Sequence, residues 1–341
     1  MNFAAFQQWR EQCLGANPGL LDCAETNLYR ALAKLRPSQV TSPSDHPIHR
    51  CDLARTWLRR YAFSESLSRQ ALVCRGVRHA LGLVFKELAR NNAVLWTSGD
   101  VYPTYLELAR FAGIEPQVFP TLPEPKLPST CFAGRLEYLL LPNPWKPLGR
   151  FITERECAAL TDWLVASSNR WLLMDCVYDL GAPFHFTTQK LQQTGRAILL
   201  HSVTKGWLWP KTFGVALLSQ ANPQLEFAFR NDPPSQEQLR QGERSLSDMA
   251  GLPCQVTAAL EDRKQKLLAA LPKNVSSSFL LDPGSTAPGC YFFPVRLQVD
   301  ELMRENGIVA IPSSAFGATW GGSILTSLSS CFTGIGNGVA P

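Results

Sequence analysis

No apolar run in the 341 residues approaches the roughly 18 that a helix needs to cross a bilayer. The opening MNFAAFQQWREQ has neither a basic stretch nor a long apolar core, so neither a membrane span nor an export signal is expected. Runs of lysine and arginine are also missing. The net charge of +5 is spread along the chain; it weakly favours small anionic molecules over nucleic acid, or reflects no charge-selected partner at all. None of the ten cysteines forms a C-x-x-C pair, and most lie in apolar segments. Reduced thiols in a cytoplasmic protein are therefore expected instead of a disulfide framework. His46, His49 and Cys51 lie close together, but Pro47 intervenes and a fourth ligand is lacking, so no metal is expected there.

What the chain does have is core material. With 45% hydrophobic and 18% charged residues, it can bury a large interior, which suits one large domain and a smaller one. Two apolar runs organise it: WLLMDCVYDLG at 171–181 and AILLHSVTKGWLWPKTFG at 197–214. Each reads as a buried strand. The first ends in Asp175 with Tyr178 three residues on, and the second delivers Ser202-x-x-Lys205 into a Trp-rich loop. Strand ends of open α/β sheets are where ligands sit. An acid that stays ionised, a phenol, a hydroxyl and an amine able to lose its proton meet the requirements of a pyridoxal phosphate site. There Lys205 would form a Schiff base with the cofactor aldehyde, Asp175 would keep the pyridine nitrogen protonated and Tyr178 would donate to the phenolate oxygen. Taken singly, Asp175 also reads as a helix cap and Lys205 as a surface residue.

At these motifs the chain resembles the fold-type I pyridoxal phosphate enzymes, in particular the class I/II aminotransferases with their histidinol-phosphate aminotransferase-like members. The resemblance implies a three-layer α/β/α large domain with a mainly parallel sheet (46–250), a smaller α+β C-terminal domain (251–341) and an N-terminal arm (1–45). Further motifs carry it. Glu25-Thr26-Asn27-Leu28-Tyr29 resembles the family's N-E-N-P-Y arm over the active site, which makes Glu25, Asn27, Tyr29 and Arg30 substrate-binding candidates. CRGVRHALGLVFKELARN at 74–91 reads as a turn and an amphipathic helix, and the resemblance gives the phosphate to Gly76, Val77 and Arg78. In AVLWTSGDVYPTYLELARFAG at 93–113, a strand, a turn and a helix stopped at Gly113, Tyr102 takes the place of the aromatic that lies flat on the pyridine ring. Asp100 stands where a Pro is usual. Ser202 fits a hydroxyl contact to the phosphate.

Other positions depart from the family. The loop Asn143-Pro144-Trp145-Lys146-Pro147-Leu148-Gly149 resembles N-P-x-N-P-T-G, but Lys146 replaces the Asn that meets the phenolate oxygen; either its ammonium acts there or Asn143 takes over. Lys211 is the nearest cation where relatives carry a phosphate-binding Arg, a point charge in place of a fork. Ser327 stands where the family's carboxylate-clamping Arg is expected, with Arg30, Arg296 and Lys211 as candidate substitutes. Thr153 and Glu156 form a capping box that starts a helix running to about Ser168, residues 223–254 read as a polar crossing segment, and 257–271 as an amphipathic helix. Trp207 and Trp209 read as packing or interface residues. The resemblance implies an aminotransferase working through Lys205 and a homodimer whose sites are completed by the neighbouring subunit. Two alternatives stay open: a lyase, cyclase or decarboxylase of a specialised pathway using the same carbanion chemistry, and a non-catalytic relic.

Overall fold

The computed structural model describes residues 2–36, 47–101, 103–209 and 213–332. Helix α1 (Phe3–Ala16), the short strand β1 (Leu21–Asp22) and the single turn α2 (Leu28–Ala31) come first, and α3 (Arg50–Arg60) follows. Strands and helices then alternate: β2 (Ala71–Cys74), α4 (Val77–Arg90), β3 (Val94–Ser98), α5 (Thr104–Phe111), β4 (Gln117–Phe119), β5 (Glu137–Pro142), α6 (Glu154–Val165), β6 (Arg170–Asp175), α7 (Phe186–Gln192), β7 (Ala197–Ser202) and β8 (Gly214–Leu218). Three helices, α8 (Pro223–Asn231), α9 (Gln236–Leu246) and α10 (Leu252–Ala270), lead through the turn α11 (Lys273–Ser276) to β9 (Phe292–Val295), α12 (Val299–Asn306), β10 (Ile308–Val309), β11 (Ile311–Pro312) and β12 (Ser323–Thr326).

The main sheet has seven strands in the order β2-β8-β7-β6-β5-β3-β4. From β7 through β4 neighbours run parallel, while β8 is antiparallel to both β7 and β2. Alternation along the strands explains the three layers. Leu139, Leu141, Leu172, Met174 and Leu199 pack on one face with Leu53 and Trp57 of α3 and Leu160 of α6. Leu140, Leu173, Ile198 and Leu200 pack on the other with Leu81, Val84 and Phe85 of α4 and Phe229 of α8. Side chains on a strand point alternately to opposite faces, so strands apolar at every position are stable only when helices cover both. The expected α/β/α architecture with a mainly parallel sheet is thus present. Beyond it, β9, β11 and β12 form a small antiparallel sheet, and β1 pairs in parallel with β10.

The capping box at Thr153 and Glu156 is present and starts α6, which ends at Val165. After α5, Gly113 takes φ +85, the left-handed conformation that lets a chain leave a helix. The polar stretch after β8 is not a plain crossing segment. Asn222 caps α8 through its side chain, with Pro223 in the first turn, and Ser235 with Gln238 forms a second capping box that starts α9. Its apolar residues are few, but Leu239 and Leu246 are buried; polarity hid two helices whose caps were readable. Helix α10 begins at Leu252, five residues before the 257 expected, with Pro253 tolerated in its first turn. No helix of the described residues is long and apolar enough to span a membrane.

Candidate active site

Strand β6 hands Asp175 to the edge of a cavity of about 490 Å³ at the ends of the parallel strands. Its carboxylate accepts the Val177 N–H at 3.1 Å and the Tyr105 hydroxyl, from α5, at 2.6 Å. Burial pushes the Asp175 pKa up, opposed by those two donors and by the nearby Lys146 and Lys205 charges. Tyr178, on the turn after β6, is buried beside Tyr291, the two hydroxyl oxygens 3.1 Å apart, and accepts from Lys146 Nζ at 3.5 Å. Tyr291 donates onward to the Thr26 carbonyl at 3.3 Å.

Strand β7 ends at Ser202, whose hydroxyl lies 2.7 Å from that of Thr204. The turn that follows sets Lys205 Nζ 5.0 Å from the Tyr29 ring centre and 5.4 Å from that of Tyr178. Burial, and then the Arg78 charge, lower the Lys205 pKa to about 8. Lys146 falls further, to about 7, through burial and then the charge of Lys205. Gly76 precedes α4 with φ +105, which only glycine adopts readily, and the helix N-terminus with Gly76, Val77 and Arg78 forms part of the cavity wall.

The cavity therefore gathers Lys205, Asp175, Tyr178, Lys146, Ser202 and Tyr29, together with that helix end. Other predicted residues lie elsewhere. The Asn143 amide is fully engaged: Oδ1 accepts the Ile152 N–H at 3.0 Å, and Nδ2 donates to Thr187 and Thr188 at 3.2 and 2.9 Å. It fastens the Lys146 loop to α7 and to the segment just before α6, and is absent from the cavity wall. Glu25 accepts the Asn27 N–H at 2.7 Å and pairs with Arg10 at 3.3 Å. Asn27 caps α2, and the Arg30 side chain is 80% exposed. Arg296 donates to the Phe279 carbonyl at 3.0 Å, away from the cavity. Tyr102 and Lys211 lie outside the described residues. Trp207 is buried and donates to the Met249 carbonyl at 2.9 Å, a packing role.

Sequence reading missed Tyr105, Thr204, Tyr291 and Phe292, all on the wall. Tyr105 had a signal: it is an aromatic three residues after Tyr102, in the first turn of the expected helix. Tyr291 and Phe292 did not, since an apolar strand such as GCYFFP does not say which rings face a ligand.

No family model matches the chain, and no curated protein matches it. Solved structures do. A probable N-succinyldiaminopimelate aminotransferase from Thermus thermophilus superposes with a TM-score of 0.71 at 19% identity, over 96% of each chain. An Escherichia coli protein described as having a methionine aminotransferase function gives 0.70 at 17% identity, over 97% of this chain and 94% of its own. An aromatic aminotransferase from Pyrococcus horikoshii gives 0.67 at 14%, over 94% of each. At these identities it is the backbone architecture that is shared: the chain has the fold of these aminotransferases.

Proposed function

We propose that the protein is a pyridoxal phosphate-dependent aminotransferase acting on an amino acid or a related amine. The observation that carries this reading is the meeting of Asp175 and Lys205 in one cavity, with the Tyr178 ring beside Lys205. The donor set fits the cofactor. Among the described residues Asp175 is the one carboxylate on the wall, suited to a cationic ring nitrogen. The N-terminus of α4, with Arg78 and the hydroxyls of Ser202 and Thr204, suits a phosphate. When bound, the cofactor supplies an electron sink for negative charge that develops at the substrate Cα.

The chain's own groups do the rest. Lys205 is the residue to hold the cofactor aldehyde, and its pKa near 8 leaves part of the population as free amine at neutral pH. With the cofactor bound, the same Nζ would take the proton from the substrate Cα as a base and return it as an acid. Tyr178 and Lys146 would meet the phenolic oxygen, and the family resemblance assigns the ring to Tyr102 and the phosphate to Lys211. Residues 46–250 serve as the cofactor-binding domain, 251–341 as the small domain and 1–45 as the arm. Ten unpaired thiols support a reducing, cytoplasmic setting, and a homodimer is the proposed assembly. Titrating the purified protein with pyridoxal phosphate tests the reading. A visible absorption band that amino donors bleach with release of a keto acid is expected. A protein that develops no such band would refute it.

A further inference from the structure

The cavity carries four cationic side chains, Arg75, Arg78, Lys146 and Lys205, against the single carboxylate of Asp175 among the described residues. Arg75 is ion-paired with Asp232 at 2.6 Å, Arg78 belongs to the phosphate end of α4, and Lys205 holds the cofactor. Lys146 is set apart by its surroundings. Its Nζ lies 4.8 Å from the centre of the Phe292 ring and 5.1 Å from that of Tyr178, 3.5 Å from the Tyr178 hydroxyl.

The wall around it is aromatic. Phe3, Tyr29, Tyr291, Phe292 and Phe316 line the cavity and bring no charge. No arginine of the described residues takes over from the small-sheet side. Ser327, after β12, is fully buried with no hydrogen-bond partner for its hydroxyl, and Arg30 and Arg296 are not on the wall.

We propose that Lys146 is the specificity-determining cation of this cavity, binding the carboxylate of the amino substrate beside the Tyr178 hydroxyl, and that the aromatic wall selects monocarboxylic amino acids with apolar or aromatic side chains. This rests on the pyridoxal phosphate reading. The chemistry favours it in three ways. An ammonium is a donor only, and its three hydrogens would let it serve the Tyr178 oxygen, the cofactor's phenolic oxygen and a substrate carboxylate together. Half-buried among rings, it meets a carboxylate in a setting where charge-assisted hydrogen bonds are strong. Burial and the neighbouring Lys205 charge depress its pKa, and an incoming carboxylate opposes that shift through its negative charge. With Arg75 paired to Asp232, Arg78 given to the phosphate and Lys205 to the cofactor, a second carboxylate finds no further cation on the wall among the described residues.

Equilibrium binding to the cofactor-loaded protein tests the proposal without turnover. The probes are 3-phenylpropionate, which lacks the amine, and its neutral isostere 3-phenylpropanamide. The carboxylate is expected to bind wild type about tenfold more tightly or better, with the preference falling to near one in Lys146→Met and persisting in Lys146→Arg. Equal affinities in wild type, or a preference unchanged in Lys146→Met, would overturn it. Should the variants fail to fold, wild type still decides. Saturating 3-phenylpropionate, and not the amide, is expected to slow acetylation of Lys146 by acetic anhydride, read by peptide mapping; equal labelling contradicts the proposal. A protein that never takes up cofactor would sink the functional reading, whereas a loaded protein indifferent to the carboxylate would sink only the role of Lys146.

Discussion

Tyr105 shows how much of the site depends on a side chain no strand-end pattern names. Its hydroxyl donates to the Asp175 carboxylate at 2.6 Å and opposes the rise in pKa that burial imposes. Tyr105→Phe should raise the Asp175 pKa further and cost about 1.5–3 kcal/mol of stability, the range for a hydrogen bond to a charged group. Urea unfolding and infrared titration of the carboxyl check this; an unchanged carboxyl would mean that the bond does not form. Lys146 gives a signed pH prediction. Its folded pKa of about 7 lies below the ordinary lysine value of 10.5, so the unfolded chain holds more protons between those two values. Stability then rises with pH across that window. Lys146→Met should raise the melting temperature of the cofactor-free protein most below about pH 7, with the gain shrinking toward pH 10.5. That Lys205, Asp175, Tyr178 and Ser202 meet at one cavity was legible because strand ends fix where a residue goes. Asn143 matched a motif, yet its amide is engaged by Ile152, Thr187 and Thr188, a choice that sequence alone does not reveal.

Among the elements, the sheet strands were the easiest to read and the helices after β8 the hardest. Leu172 is fully buried on β6, between β5 and β7, and Leu172→Ala should cost about 2–5 kcal/mol through lost transfer energy and the cavity left behind, measured as a lower urea midpoint. The two helices over 223–246 went unseen because surface polarity outweighed their caps. Ser235→Ala, which removes the bond from the Gln238 N–H, should cost about 1 kcal/mol. The loop that bears Lys146 is held tightly. Gly149 has φ +76, and a Cβ there would come within 2.4 Å of the Phe292 carbonyl oxygen. Gly149→Ala should therefore destabilise by more than about 1 kcal/mol, and it should shift Lys146 relative to Phe292. A variant as stable as wild type would mean that the loop and β9 are not packed as described.

At the scale of the whole molecule, the three-layer fold followed from strands apolar on both faces, and the aminotransferases of Thermus thermophilus and Escherichia coli share it over nearly the full chain. Substrate choice was far less legible. It depends on which rings and cations of distant segments face one cavity, and Tyr29, Tyr178 and Phe292 come from three separate stretches. Assembly is a proposal of the same reach: light scattering of the purified protein should give the mass of a dimer, and a fully active monomer would contradict it. The central claim is that Lys205, and not the other amine in the same cavity, carries the cofactor. Both lysines have pKa values well below the ordinary range, so the distinction has to be read directly. Borohydride reduction of the pyridoxal phosphate-loaded protein, followed by peptide mapping, is expected to place the added mass on Lys205 and leave Lys146 unmodified. A label on Lys146, or on neither residue, would contradict the account.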